Sequence, residues 1–350
     1  MKTRHYNKTV IQKSLSILVL LSVFVNSYSQ KTQTLMSLKG KWWFMIVDKE
    51  AKDIPAPQSD MWEVIDVPGN WESQGYNGYD GYAWYKKVIT IPEDYKNKSL
   101  GLELGYIDDV DEVYVNGKLL GFSGSFPPAF TSAYNAKREY NLPGEYIKYG
   151  QKNIITVRIF DSWGEGGIVK GDVRIFEYLN RFPIDIDLQG IWLFKTGDNP
   201  DWKNQTIDET KWKNIVVPAN WENQGYKDLD GFAWYRKTFK VSKELATKDL
   251  VLIAGKIDDL DQTYLNGKLI GNIGEFYNDV RLMITQEELG PDYERYRIYE
   301  IPKDALNTNG TNIIAIRVYD VYGLGGIYQG PVGIISKETY LKYRKEKKLK

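Results

Sequence analysis

The sequence contains no cysteine and a single histidine, His5. Without thiols there is no disulfide staple and no thiolate nucleophile, so stability has to come from packed cores. Beyond residue 5 there is no imidazole. Ser-His-Asp and Cys-His catalysis therefore lack their base, and zinc sites lack their usual ligands. The side chains left for chemistry are carboxylates, lysine and tyrosine, together with oxygen-ligated cations such as calcium. An excess of one charge sign is also missing: 46 Lys and Arg stand against 46 Asp and Glu, for a formal net charge of zero. With the basic residues scattered, no stripe argues for nucleic acid as a partner. Long apolar runs are absent apart from Ser14–Val25, about a dozen residues, which is too short to span a bilayer.

That run has the flanks of an export signal. Met1–Lys13 carries a positive excess, and Ser27 and Ser29 place small residues at the −3 and −1 positions of a cut after Ser29. Residues 1–29 read as a secretory signal peptide. The expectation is a protein exported to the periplasm or the cell exterior, with no membrane span after cleavage and no cysteine for a lipid anchor. The basic tail, Lys337–Lys350, reads as a solvated terminal helix or a frayed end.

What the chain does contain is nearly the same text twice. VPGNWESQGYNGYDGYAWYKK over Val67–Lys87 returns as VPANWENQGYKDLDGFAWYRK over Val217–Lys237. IDDVDEVYVNGKLLG over Ile107–Gly121 returns as IDDLDQTYLNGKLIG over Ile257–Gly271, at the same offset of 150 positions. A duplication of this length means two copies of one domain, from about Leu35 to Tyr178 and from about Ile184 to Ser336. Two such domains occupy the exported sequence, so no separate catalytic domain is expected within it. Asp161 and Asp320 are 159 positions apart, which places a nine-residue insertion in the second copy between Gly271 and Arg297.

The segments read as β. In Asn153–Phe160 and Asn312–Tyr319 the apolar residues alternate, with Ile155, Val157 and Ile159 on one face and Arg158 on the other. Asn116-Gly117 and Asn266-Gly267 sit between short apolar runs, a strong hairpin signal. Many short strands punctuated by Gly and Pro predict an all-β chain of two tandem jelly-roll β-sandwiches.

Several repeated residues could carry chemistry. Asp108, Asp109 and Asp111 recur as Asp258, Asp259 and Asp261. Parity puts Asp109 and Asp111 on the core side with Val113 and Val115, where a carboxylate must be paired. They are turn caps or partners of an arginine, or a calcium or sugar-hydroxyl site, or a glycosidase pair. Trp84 and Trp234 share a strand face with Lys86 and Arg236. Each either packs or stacks on a sugar ring. Trp71, Tyr76 and Asp80, repeated as Trp221, Tyr226 and Asp230, form a polar and aromatic loop of the kind that suits saccharides. The glycine turns SWGEGGI and VYGLGGI diverge: Trp163 faces Tyr322 and Glu165 faces Leu324, so the first copy is the better equipped for a ligand.

Taken in order, VPGNWE, DGYAWYKK, IDDVDEVYVNGKLLG, NIITVRIFD and GEGGI resemble the sugar-binding jelly-roll domain of glycoside hydrolase family 2, and the similar domains of other secreted glycosidases and sialate O-acetylesterases. The resemblance covers most of both copies. It implies association with glycans. In those enzymes bond cleavage belongs to paired glutamates on a separate barrel, or to a Ser-His-Asp site on another domain. The expectation is a secreted, non-catalytic tandem carbohydrate-binding protein assisting polysaccharide degradation. It would bind polysaccharide or oligosaccharide beside glycosidases acting on the same glycan, with no cofactor beyond a structural calcium. The alternatives are a carboxylate-dependent hydrolase and an interaction module docking onto a partner glycosidase.

Overall fold

The computed structural model describes residues 31–47, 53–55, 61–179, 181–274 and 292–347. The export signal read from residues 1–29 lies outside them, as does most of the nine-residue insertion. Among the described residues no helix is long and apolar enough to cross a membrane.

The alternating residues form strands as their parity requires. Ile155, Val157 and Ile159 are buried in the first core, while Arg158 lies on the opposite face over the ring of Phe126 at 4.3 Å. Asn116 and Gly117 have φ of 51° and 80°, the doubly positive turn that matches the twist of a hairpin. The Asn116 side chain then ties this turn to the neighbouring strand. Its Oδ1 accepts from the Ile154 N–H at 3.0 Å, and its Nδ2 donates to the Tyr146 carbonyl at 2.8 Å. Asn266 repeats both bonds, to Ile313 and Ala305.

Ten strands build the first sandwich: β1 (Thr32–Ser37), β2 (Gly40–Val47), β3 (Glu63–Val67), β4 (Gly81–Thr90), β5 (Leu100–Asp108), β6 (Val110–Val115), β7 (Lys118–Ser123), β8 (Lys137–Asn141), β9 (Lys152–Asp161) and β10 (Gly167–Tyr178). They pair antiparallel in two sheets, one ordered β1-β10-β5-β8 and the other β3-β2-β4-β9-β6-β7. The second sandwich repeats both orders with β11 (Ile186–Asp187), β12 (Gly190–Thr196), β13 (Lys213–Val217), β14 (Gly231–Phe239), β15 (Leu250–Asp258), β16 (Leu260–Leu265), β17 (Lys268–Ile273), β18 (Tyr296–Ile301), β19 (Asn312–Asp320) and β20 (Gly326–Ser336). The fold is the all-β pair of jelly-roll sandwiches that the strand pattern predicts. Each sandwich closes on its own apolar core, which supplies the stability that disulfides do not. The tail forms a helix over Lys337–Lys347. Its Tyr340 is buried against Val251, Ile253 and Ile335 on the outer face of the second sandwich, so this segment is docked rather than frayed.

One feature of the topology positions the site. The chain leaves β5 in the smaller sheet at Asp108 and enters β6 in the larger sheet at Val110. Asp108 and Asp109 are the crossing point, and the peptide between them is cis, as it is between Asp258 and Asp259. The crossing falls at one end of the sandwich, beside the last residue of β9, Asp161.

Candidate functional site

At that rim one carboxylate oxygen from each of Asp108, Asp109 and Asp161 lies within 4.8 Å of the others, and Asp258, Asp259 and Asp320 do the same in the second module. Asp161 is fully buried and Asp108 half-buried. Burial, reinforced by the neighbouring Asp109, pushes the Asp108 carboxyl up to about 7. Burial and the surrounding Asp109, Asp80 and Glu72 likewise push Asp161 up to about 7. Burial also acts on Asp109, but hydrogen bonds from Ser132 and Ser162 outweigh it and hold that carboxyl below its ordinary value. Ser162 donates its N–H at 3.0 Å and its hydroxyl at 2.7 Å to Asp109 Oδ2, and the Ser132 hydroxyl bonds Oδ1. In the second module burial and Asp259 raise Asp258 to about 7, and burial with Asp258 and Asp259 raises Asp320 to about 8.

Beneath each cluster lies a buried arginine. Arg138 donates Nε to Asp111 Oδ1 at 2.6 Å, and its other nitrogens bond the carbonyls of Asp109, Ala133 and Ala136. Tyr140 completes the set with a 3.0 Å bond to Asp111 Oδ2. Arg297, Asp261 and Tyr299 repeat the arrangement. Of the three readings open for the Asp triplet, partnership with an arginine holds for Asp111 and Asp261. Both carboxylates and both arginines are fully buried.

The glycine turn is set against the cluster by Trp71 and Glu72. A Cβ on Gly166 would stand 2.1 Å from the Trp71 ring, so only glycine lets the turn lie on the indole. Both Glu72 carboxylate oxygens accept from the Gly166 N–H, at 3.1 and 3.2 Å. Trp221, Glu222 and Gly325 are placed in the same way. What the turn carries outward is Trp163, a residue 84% exposed, with the exposed Glu165 two residues on. Trp163 is pinned at its backbone by a 3.3 Å bond from its N–H to Asp161 Oδ1.

The structure brings Asp80, Asp108, Asp109, Trp163 and Glu165 to one rim. Asp80 adjoins Gly81, which pairs with Asp161. In the second module Asp230, Asp258, Asp259 and Tyr322 occupy the corresponding rim, with Tyr322 55% exposed. Four aromatic candidates go elsewhere. Trp71, Trp84, Trp221 and Trp234 are fully buried and offer no ring face to a sugar. Trp84 does lie on the strand face that parity gives it, with Lys86, but Met45 and Trp62 cover that face. Trp234 is covered by Trp212 and stacked on Tyr264, and its Nε1 donates to Asp198 at 2.9 Å. Tyr76 and Tyr226 are half-buried on Phe44 and Phe194, with ring centroids 4.7 Å apart in both pairs. The Tyr76 hydroxyl donates to Glu63 at 2.8 Å. These two rings are wedges that support the loop.

Asp161 and Asp320 served in the sequence only to align the copies, yet they complete both clusters. Their signal was recurrence at the last position of a strand. Ser132 and Ser162 carried no signal, because a hydroxyl turned towards a carboxylate leaves no periodic mark.

The fold and the rim define this chain as a tandem of sandwiches resembling the sugar-binding jelly-roll domain of glycoside hydrolase family 2. No family model matches it. A putative β-glucuronidase of Formosa agariphila is 28% identical over 200 residues, covering 51% of this chain and 23% of that protein. A β-galactosidase of Priestia megaterium is 21% identical over 232 residues, covering 53% of this chain and 21% of that protein. The matched region is thus under a quarter of the length of either relative. Among solved structures, a Bacteroides uniformis β-glucuronidase aligns over 83% of this chain and 28% of its own, with 16% identity and a TM-score of 0.33. A putative β-galactosidase from Bacteroides fragilis aligns over 83% of this chain and 36% of its own, with 15% identity and a TM-score of 0.31.

Proposed function

We propose that this is an exported carbohydrate-binding protein whose first-module rim grips a saccharide without cleaving it, in support of glycosidases that act on the same glycan. The similarity to β-glucuronidases and a β-galactosidase supports a glycan-related role. The observation that carries the binding reading is Trp163. A tryptophan 84% exposed, held at its backbone by the carboxylate cluster, offers an aromatic plane ready for the apolar face of a pyranose. Asp80, Asp108 and Glu165 stand beside it as acceptors for sugar hydroxyls.

The second module's rim adjoins the first. The Gly124 N–H donates to the Asn223 carbonyl at 2.6 Å, joining the rim loop after β7 to the loop that carries Trp221 and Glu222. Neighbouring sites raise avidity on a repeating polymer when one chain can reach both.

A second reading has one observation in its favour. Asp108 and Asp109 are adjacent carboxyls whose surroundings push them in opposite directions, the pattern of an acid and a base. A hydrolase would also need a cleft around them. Two clefts lie away from them: one of about 500 Å³ between the modules, lined by Lys98, Glu145, Arg181 and Asp187, and one of about 220 Å³ beside Trp192 and Arg236.

Affinity electrophoresis and a glycan array on the purified chain test the proposal. Trp163→Ala should weaken binding ~10-fold or more, the loss of one stacked ring, and leave the thermal midpoint unchanged. Retention of full affinity by this variant, or binding to no glycan by the parent chain, would overturn it. Sugar release by the parent chain that stops in Asp108→Asn would establish the hydrolase instead.

A further inference from the structure

We infer that the carboxylate cluster of the second module, Asp258, Asp259 and Asp320, binds a divalent, oxygen-seeking cation, calcium by its chemistry. The inference stands apart from the glycan reading and would survive its failure.

Three observations support the site. The first is spacing. Calcium holds its oxygens at ~2.3–2.6 Å, so two ligands of one ion are at most ~5 Å apart. The three carboxylates meet that condition with every pair within 4.8 Å. The second is Asp320. It is fully buried, and among the described residues neither of its carboxylate oxygens has a hydrogen-bond partner. A buried carboxylate left bare in this way is costly, and the atoms within 4.8 Å of it include oxygens of Asp258 and Asp259, which cannot supply a positive partner. The third is that, among the described residues, no protein cation fills that role. The nearest guanidinium, Arg297, spends Nε on Asp261 at 2.9 Å. Its remaining nitrogens go to the carbonyls of Asp259, Asp292 and Arg295.

The donor set selects the metal. Three carboxylates with no nitrogen or sulfur suit a hard ion, and the half-buried Asp258 leaves a side open for water to complete a large coordination shell. The first module brings more donors to its cluster. There Asp109 receives both serines, and Asp161 Oδ1 accepts from the Trp163 N–H. The counterpart of Ser162 is Val321, which has no hydroxyl and gives Asp259 only a backbone bond at 2.9 Å. Among the described residues Asp161 is left with one bare oxygen, Oδ2, and Asp320 with two.

Calorimetry with calcium chloride, on the full chain dialysed against a chelator, tests this together with thermal melts. The expected result is one equivalent bound. At a hundredfold excess over Kd the midpoint of the second module should rise by ~5–10 °C. Asp320→Asn should abolish both signals, and Asp161→Asn should retain them. Should Asp320→Asn fail to fold, Asp258→Asn at the rim replaces it and should lose the binding heat. No heat and no shift with the parent chain at millimolar calcium, or undiminished binding in Asp320→Asn or Asp258→Asn, would overturn the site.

Discussion

Asp111→Ala is expected to destabilise the first module by about 3–5 kcal/mol, seen as an earlier transition in urea for that module alone. The reason is what the substitution leaves behind. Arg138 is fully buried, and Asp111 is the one carboxylate on its guanidinium, at 2.6 Å. The carbonyls of Asp109, Ala133 and Ala136 accept its other N–H groups but carry no charge to balance it. Tyr140 would lose its bond to Asp111 and keep the Ser123 hydroxyl at 3.2 Å. The cost is therefore that of an uncompensated buried charge, larger than the pair's own net worth. It follows that removing both charges should be milder than removing one. Asp111→Leu with Arg138→Met should recover part of the loss, provided the backbone carbonyls that Arg138 served find water. If the single and double variants are equally destabilised, the carbonyl contacts and not the charge pair hold this corner. Asp261 and Arg297 should behave alike in the second module, where both are fully buried and 2.9 Å apart.

This corner also shows how much was legible in the sequence. A duplication with alternating apolar residues is enough to read two β-sandwiches, because period-two burial leaves its mark on every strand. Parity alone placed Asp111 inward beside Val113, and an inward carboxylate has to find a cation. What parity cannot give is cover. Trp84 lies on the strand face assigned to it, yet that face is sealed by Trp62, which comes from a loop more than twenty positions away. Whether a ring is exposed depends on such non-local packing, and the strand bearing the ring does not encode it. Trp163 was readable for the opposite reason. It sits in a glycine turn beyond the last residue of a strand, where no neighbouring strand can cover it.

The two copies keep the same scaffold and differ where the scaffold ends. Asp111, Arg138, Glu72 and Gly166 each have an equivalent with corresponding bonds, and Trp71 has one packed in the same place whose Nε1 has no hydrogen-bond partner among the described residues; these residues shape the rim. Ser162, Trp163 and Glu165 become Val321, Tyr322 and Leu324, and these residues form its outer surface. The substitutions take a hydroxyl from the cluster and a carboxylate from the turn. They shift the second rim from a hydroxyl donor and an indole towards a barer carboxylate pocket edged by Val321 and Leu324. Shared scaffold and divergent rims are what two modules need in order to hold different ligands side by side.

The glycine that carries the rim gives the sharpest test of this division. Gly166→Ala should cost about 3 kcal/mol, the upper end of what overpacking costs, and should lower glycan affinity together with stability. The φ at Gly166 is not the obstacle, since the residue lies outside the left-handed region; space is. The new methyl would stand 2.1 Å from Trp71 Cζ2 and 2.3 Å from Cε2, well inside contact distance. The indole cannot retreat. It is fully buried, its Nε1 donates to the Tyr79 carbonyl at 3.0 Å, and Phe44 and Tyr79 pack on it at 5.7 and 5.8 Å between centroids. The turn has to lift instead, which breaks the bonds from Gly166 N–H to Glu72 and swings Trp163 off the cluster. Shrinking the ring offers relief: Trp71→Phe should be destabilising alone yet should recover part of the Gly166→Ala loss, a coupling of ~1 kcal/mol or more between residues in contact. Strict additivity in that cycle would mean that the turn does not rest on the indole. Gly325→Ala, which meets Trp221 at 2.1 Å, should destabilise the second module and leave sugar binding at the first rim intact.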